Sequence, residues 1–258
     1  MYVKGLATAF AAILAAAQHT SAMFVEDHND EEQGQRGLTH GNGCKQGNVL
    51  ALKFTNLTPG QVFAPQFFVA VHNRRTGPFY EIGEHASDGL ELLAEDGVAG
   101  DLAAEFAEQD GVASSRVAFG GAPPGRTVYI NINDVSRGSR LFSFGVMAVN
   151  TNDAFVGLNG ARARVGRVYY LNGLDAGTEV NDELCDNIPG PACGDMEMDG
   201  EDETNDFGPD GLGFVHVHTG VHGVADLDPT LHDWRNPMAR VEVVCVPEED
   251  TLPFEQDA

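Results

Sequence analysis

Two stretches of the sequence decide the fold class: residues 128–132, Val-Tyr-Ile-Asn-Ile, and residues 241–245, Val-Glu-Val-Val-Cys. Apolar and polar side chains largely alternate in both, which is the period of a β-strand with one buried face. Clusters of Gly, Pro, Asn and Asp separate these from other segments of the same kind. The strands predicted in this way are Val49–Thr55, Gln66–His72, Arg116–Phe119, Thr127–Asn133, Arg140–Val149, Arg164–Leu171, Gly213–His218 and Ala239–Val246.

One helical stretch interrupts the predicted strands. It covers Leu90–Glu95 and Asp101–Gln109, with Leu102, Phe106 and Ala107 on one face. Helices do not alternate with strands along the rest of the chain, so the pattern excludes a doubly wound parallel sheet. We expect an all-β protein, built as an antiparallel sandwich with a short helical insertion and long loops.

Charge excludes several classes of partner. The chain has 258 residues, of which 15 are Lys or Arg and 39 are Asp or Glu, for a formal net charge of −24. A chain this acidic gains nothing from counterion release, so it is not expected to bind nucleic acid. A basic face for anionic lipids is missing too. The acidity instead favours solubility and the binding of divalent cations.

The first residues are typical of a secretory signal peptide. Lys4 precedes an apolar run over residues 5–17, and the small residues Ser21 and Ala22 follow. The run is shorter than the roughly 20 residues that a membrane-spanning helix needs, and no transmembrane segment is expected elsewhere. We therefore expect a signal peptide over residues 1–22, a disordered segment over 23–48, and a secreted, periplasmic or cell-surface protein. A buried N-terminal helix is the alternative.

Four cysteines fit an exported protein. An even number in an oxidising compartment predicts disulfides, and four cysteines allow three pairings. Cys185 and Cys193 flank a turn-rich stretch that suits a local bridge. A bond between Cys44 and Cys245 would join the N- and C-terminal strands of one domain. The sequence contains no CxxC motif, which argues against a zinc site.

The acidic residues also divide the chain. We expect one domain over residues 49–246, with an acidic loop insertion at 186–210 and an acidic tail at 247–258. Within the insertion, Asp195–Asp206 has carboxylates spaced as in an EF-hand loop. The apolar eighth position of that loop is replaced by Asp202, and Pro189 and Pro191 prevent an entering helix. A solvated loop is therefore the better interpretation.

Three segments in order resemble the spondin-type domain, particularly the form found in exported microbial proteins. They are residues 54–65, residues 149–158 with the element Asn-Asp-x-Phe-Val-Gly, and residues 174–181 with Asp-Ala-Gly-Thr followed by an acid. The resemblance covers roughly residues 49–246. It implies a Greek-key β-sandwich related to calcium-binding lipid-interaction domains. It also implies one Ca²⁺ at the loop end and an extracellular adhesion or matrix role, with a protein, glycan or matrix ligand.

Carried onto this sequence, the family's calcium ligands fall on Asp153, Asp175 and Glu179, where Glu179 replaces the aspartate usual in animal members. The residues alone allow the same interpretation, because Ca²⁺ prefers six to eight oxygen ligands. Asp153 and Asp175 each follow an apolar strand, and a turn at Gly177 would bring two carboxylates together. The alternative is that these residues are ordinary turn residues with local hydrogen bonds.

A histidine-rich stretch, residues 213–223, suggests a second metal site. His216 and His218 share one face of a strand, and His222 could return from the following turn. Three imidazoles would suit Zn²⁺ or Cu²⁺, as in a metal carrier or a small metallo-oxidase. The alternative is that the histidines form hydrogen bonds with nearby carboxylates.

Motifs of common enzymes are missing. The sequence has no Gly-x-Ser-x-Gly element, no P-loop and no Gly-x-Gly-x-x-Gly opening a helix. We therefore expect a non-enzymatic, calcium-binding protein. The alternatives are the transition-metal protein described above and a purely structural surface protein that needs no metal.

Overall fold

The computed structural model of the chain describes residues 43–194 and 213–254. Its strands are β1 (Asn48–Asn56), β2 (Gln66–His72), β3 (Val112–Phe119), β4 (Thr127–Asn131), β5 (Leu141–Met147), β6 (Ala154–Arg162), β7 (Val168–Leu171), β8 (Leu174–Asp175), β9 (His216–Val217) and β10 (Ala239–Pro247). Three α-helices accompany them: α1 (Asp88–Glu95), α2 (Gly100–Ala107) and α3 (Pro229–His232).

The strands form two antiparallel sheets. One sheet has four strands in the order β4-β1-β10-β7, and the other has six in the order β3-β2-β5-β6-β8-β9. The chain crosses repeatedly between the sheets, so that β4 returns beside β1 after β2 and β3 have entered the other sheet. This is a connection of the Greek-key kind. The predicted all-β antiparallel sandwich with a helical insertion is confirmed.

The core has two layers, one on each face of the six-stranded sheet. Between the sheets, the Phe54 ring packs against Phe67 and Phe144, each at 5.5 Å between ring centroids. On the outer face, Phe68 packs against Phe106 of α2 at 5.3 Å. Successive residues of β2 therefore enter different layers. This explains why the strand reads as a continuous apolar run, because a strand covered on both faces has no polar side.

The sequence pattern did not predict two of the strands, β6 and β8. Strand β6 contains Gly157, whose missing Cβ leaves room for Tyr80 and Phe79, since a Cβ there would lie within 3.0 Å of both rings. Strand β6 also contains Gly160 in the left-handed region at φ +56°. Glycines in a sequence usually suggest turns, but Gly157 instead lets two aromatic rings pack closely against strand β6. Strand β8 has only two residues, too few to give a periodic pattern.

The observed bounds differ from the predicted ones in other places. The single helical stretch consists of two helices, α1 and α2. Of the predicted strand at 213–218, only His216–Val217 is a strand. The expected disordered segment and acidic tail both overlap ordered structure: Cys44 is buried, and Phe119 donates its N–H to the carbonyl of Pro253. Predictions for residues 1–42, 195–212 and 255–258, including the signal peptide and the EF-hand-like segment, lie outside the described residues.

Both disulfides are present, as Cys44–Cys245 and Cys185–Cys193. Of the three pairings that the sequence allowed, the structure contains the one with a local bridge and a bridge between the chain ends. Disulfides persist in oxidising compartments, so the two bonds favour such a location. Within residues 43–194 and 213–254, no helix is long and apolar enough to cross a membrane.

Candidate functional site

The edge of the six-stranded sheet gathers the predicted site residues. Asp153 directly precedes β6, Asp175 ends β8, and His216 begins β9. Strand β8 pairs with β6 on one side and β9 on the other, and Asp175 is paired with both Ala154 and His216. Segments more than 60 residues apart in sequence therefore meet at one point, where the acidic and histidine motifs form a single cluster.

Asp153 is fully buried, and its two carboxylate oxygens have different surroundings. Oδ2 accepts hydrogen bonds from the backbone N–H of Thr178 at 2.9 Å and of Glu179 at 3.2 Å. Oδ1 is also buried, but it has no hydrogen-bond partner among the described residues. A buried acceptor without a partner costs about 1–3 kcal/mol, and more when the group is charged. The unpartnered oxygen is therefore unusual and calls for an explanation.

Asp175 is held at both oxygens. Oδ1 accepts a hydrogen bond from the Gly177 N–H at 2.9 Å, and Oδ2 accepts one from Nδ2 of Asn181 at 2.7 Å. Gly177 lies in the left-handed region at φ +72°, and a Cβ there would come within 2.4 Å of the Phe214 nitrogen. Only glycine fits this turn, which brings the N–H groups of Gly177 and Thr178 onto the two carboxylates.

The two carboxylates create an unbalanced negative charge. Burial, and then the charge of Asp175, raise the pKa of Asp153 to about 7, while the backbone donors of residues 177–179 oppose the rise. Within the described part of the chain, no Lys or Arg forms an ion pair with either carboxylate. Glu179 adds a third buried acidic residue beside them.

His218 is buried and packed against the ring of Trp234, with 5.0 Å between the ring centroids. Its Nδ1 accepts a hydrogen bond from the Gly220 N–H at 2.9 Å, which assigns the proton of the neutral ring to Nε2. Nε2 then donates to Oδ1 of Asn181 at 3.0 Å. Burial lowers the pKa of His218 to about 4, which keeps the ring neutral near pH 7.

The other two histidines are more exposed. His216 lies with Nδ1 at 2.9 Å from the carbonyl of Phe214, to which it donates, and at 3.5 Å from Oδ1 of Asp175. His222 lies at the surface, and its Nε2 is bonded to the Thr219 hydroxyl at 2.8 Å. Nε2 of His218 lies at 3.9 Å from Oδ2 of the same Asp175. His216 and His218 thus flank one carboxylate, while His222 is bonded elsewhere.

One buried acid of the site was not singled out from the sequence. Glu183 lies in the left-handed region at φ +57°, although it is not a glycine. Its carboxylate accepts hydrogen bonds from the backbone N–H groups of His222 and Val224. Glu183 therefore fixes the loop that follows β9. No sequence signal distinguishes it, because it lies in a run of polar residues.

The donor atoms can be tested against each metal. Ca²⁺ requires oxygen ligands, and the buried residues Asp153, Asp175 and Glu179 carry carboxylates, of which Asp153 Oδ1 has no partner within the described ranges. Zn²⁺ and Cu²⁺ prefer imidazole nitrogens, but both ring nitrogens of His218 are already hydrogen-bonded. Over the described ranges, no group of three or more His, Cys, Asp or Glu side chains is arranged to hold a metal ion. That finding applies to the acidic residues and to the histidines alike. By the chemistry of their donor atoms alone, the acidic residues fit Ca²⁺, whereas the histidines fit a transition metal poorly.

Comparisons with known proteins do not assign the chain to a family. No protein-family model matches the chain, and no curated protein matches it. The spondin-type resemblance therefore stays a prediction from the three segments that carry it.

Proposed function

We propose that this protein is an exported, non-enzymatic, calcium-binding domain of the spondin type, which acts in extracellular adhesion or matrix interaction. The proposal is supported by the fully buried Asp153, which lies beside Asp175 and has one oxygen without a hydrogen-bond partner among residues 43–194 and 213–254. Two adjacent buried carboxylates repel each other and lose hydration, and no Lys or Arg of the described residues forms an ion pair with either of them. A bound cation would supply the compensating charge.

The residues of the site suggest what such an ion would stabilise. Asp153 belongs to the turn before β6, and Asp175 leads into the turn that continues to Glu179. The N–H groups of Thr178 and Glu179 already tie the second turn to Asp153. Bound Ca²⁺ would be shared by the carboxylates of the two turns and would hold the turns together. The rigid loop end would then present one surface to a protein, glycan or matrix ligand.

Calorimetric titration of the chelator-treated full chain with Ca²⁺ tests the proposal. We expect one site in the wild type and at least a hundredfold loss of affinity in Asp153→Asn. The matched control is Asp134→Asn, which removes an exposed carboxylate paired with Arg116 and should bind like the wild type. Equal affinity of Asp153→Asn and the wild type would falsify the assignment.

Calcium affinity should also depend on pH. Because the pKa of Asp153 in the metal-free protein is about 7, only a minor fraction of its carboxyl is ionised at acidic pH. Binding of a cation must then release a proton, so affinity should rise with pH. We expect binding roughly tenfold weaker at pH 6 than at pH 8, since each unit below the pKa reduces the ionised fraction about tenfold. An affinity constant across this range would contradict the role of Asp153.

The two alternatives make different predictions. A copper or zinc protein using His216, His218 and His222 should retain stoichiometric metal after purification without chelator and lose it on His→Ala substitution. The engaged nitrogens of His218 weigh against it. A purely structural protein should show no change in melting temperature on addition of EDTA.

A further inference from the structure

A chain of hydrogen bonds links His218, which directly follows β9, to the acidic turn at residues 175–179. The Gly220 N–H donates to Nδ1 of His218, and Nε2 of His218 donates to Oδ1 of Asn181 at 3.0 Å. Nδ2 of Asn181 donates in turn to Oδ2 of Asp175 at 2.7 Å. The donor-to-acceptor direction of each hydrogen bond follows from that of the one before it, because a neutral imidazole has one donor nitrogen and one acceptor nitrogen. The amide oxygen of Asn181 therefore faces His218, and its NH₂ group faces Asp175.

The ends of this chain are held in place. The His218 ring is buried against Trp234, which restricts its rotation, and Asp175 is bonded through its other oxygen to the Gly177 N–H at 2.9 Å. A carboxylate with donors on both oxygens keeps one orientation. Removing the donor of His218 would free the amide of Asn181 to flip, and Asp175 would then lose one of its two restraints.

We propose that His218 is a positioning residue, which acts through Asn181 to orient Asp175 for the cation. The inference rests on the proposed calcium function and assigns His218, at the end of β9, to the same site. Hydrogen-bonded groups that orient metal ligands typically affect affinity by about 10- to 100-fold, although they never touch the ion. While Nδ1 and Nε2 hold Gly220 and Asn181, His218 is not available as a ligand of its own.

Three variants of the full chain test this role by calorimetric titration with Ca²⁺. His218→Phe keeps an aromatic ring against Trp234 but removes both nitrogens, and Asn181→Leu removes the middle link. We expect each to weaken Ca²⁺ binding about tenfold. His218→Gln can place an amide N–H close to the position of Nε2, so it should bind within about twofold of the wild type.

A double variant distinguishes a single hydrogen-bond chain from two side chains that affect Ca²⁺ affinity independently. If His218 acts through Asn181, then His218→Phe combined with Asn181→Leu should bind Ca²⁺ no more weakly than either single variant, because links of one chain are not additive. Wild-type affinity in His218→Phe would overturn the proposal. So would stoichiometric Zn²⁺ binding by the wild type that His218→Phe abolishes while its Ca²⁺ affinity stays unchanged.

NMR of the metal-free protein in EDTA detects the hydrogen-bond chain whether or not the protein binds Ca²⁺. We expect His218→Phe to shift the side-chain amide protons of Asn181 and the backbone amide proton of Gly177, which is bonded to Asp175. His218→Gln should restore both signals. Unchanged signals in His218→Phe would overturn the positioning role. A wild type that binds no Ca²⁺ would instead overturn the proposed function, and the NMR result would still decide whether His218 orients Asp175.

Discussion

In EDTA at pH 8, Asp153→Asn should be more stable than the wild type, although it changes a buried residue of the site. The substituted side chain keeps an oxygen that can accept from the N–H groups of Thr178 and Glu179. Its NH₂ group replaces the charged Oδ1, which has no hydrogen-bond partner among the described residues. The rise in the pKa of Asp153 from 3.8 to about 7 corresponds to on the order of 4 kcal/mol at pH above 7. We expect a gain of about 2–4 kcal/mol, because the amide is itself a buried polar group.

The pH dependence of this gain has a definite sign. Since the folded-state pKa of Asp153 lies above its unfolded value of 3.8, the folded state binds the proton more tightly. Its contribution to stability is fully present below that value and is lost as pH rises through about 7. The advantage of Asp153→Asn should therefore be large at pH 8 and small at pH 4. Urea denaturation of both proteins at the two pH values measures it.

Calcium should offset much of the stability advantage of Asp153→Asn. A ligand at 100 times its dissociation constant stabilises the folded state by about 2.7 kcal/mol, but only a protein that binds it gains this amount. The wild type should therefore gain stability from Ca²⁺ while Asp153→Asn does not. A variant less stable than the wild type in EDTA at pH 8 would show that the buried carboxylate is compensated without a cation.

Removal of the Cys44–Cys245 disulfide should have the second large effect. The bond joins residues 201 positions apart, so it restricts the unfolded chain far more than Cys185–Cys193, at a separation of 8. Loop entropy predicts a loss of about 5 kcal/mol for the paired Cys→Ala variant of the long bridge and about 2–3 kcal/mol for that of the short one. Urea denaturation of the two double variants compares them.

Equal losses for the two bridges would contradict this ranking. For a domain of this size, about 5 kcal/mol corresponds to a fall in melting temperature of roughly 10–20 °C. Both cysteines of the long bridge also lie at the sandwich itself: Cys44 is buried, and Cys245 is in β10 opposite Leu50 of β1. The disulfide therefore stabilises the pairing of the first strand, β1, with the last strand, β10.

Local pattern was enough for most strands. Residues 66–72 and 239–246 were predicted within one residue of β2 and β10, because side-chain alternation or an unbroken apolar run persists over the whole strand. Strands β6 and β8 were missed because glycines and brevity remove that signal. The spacing of Asp175, Gly177 and Glu179 predicted a tight acidic turn, and Gly177 is where the turn demands a left-handed residue.

Local residue patterns were sufficient to predict the sandwich class, the candidate carboxylates and a strand at His216. Each of these follows from periods and spacings within one segment. The burial of Asp153, its oxygen without a partner in the described part of the chain, and the contact of His218 with Asn181 come from the packing of distant segments. Burial and donor direction depend on which strands are neighbours. Here β8 lies between β6 and β9, whose positions in the chain are more than 50 residues apart.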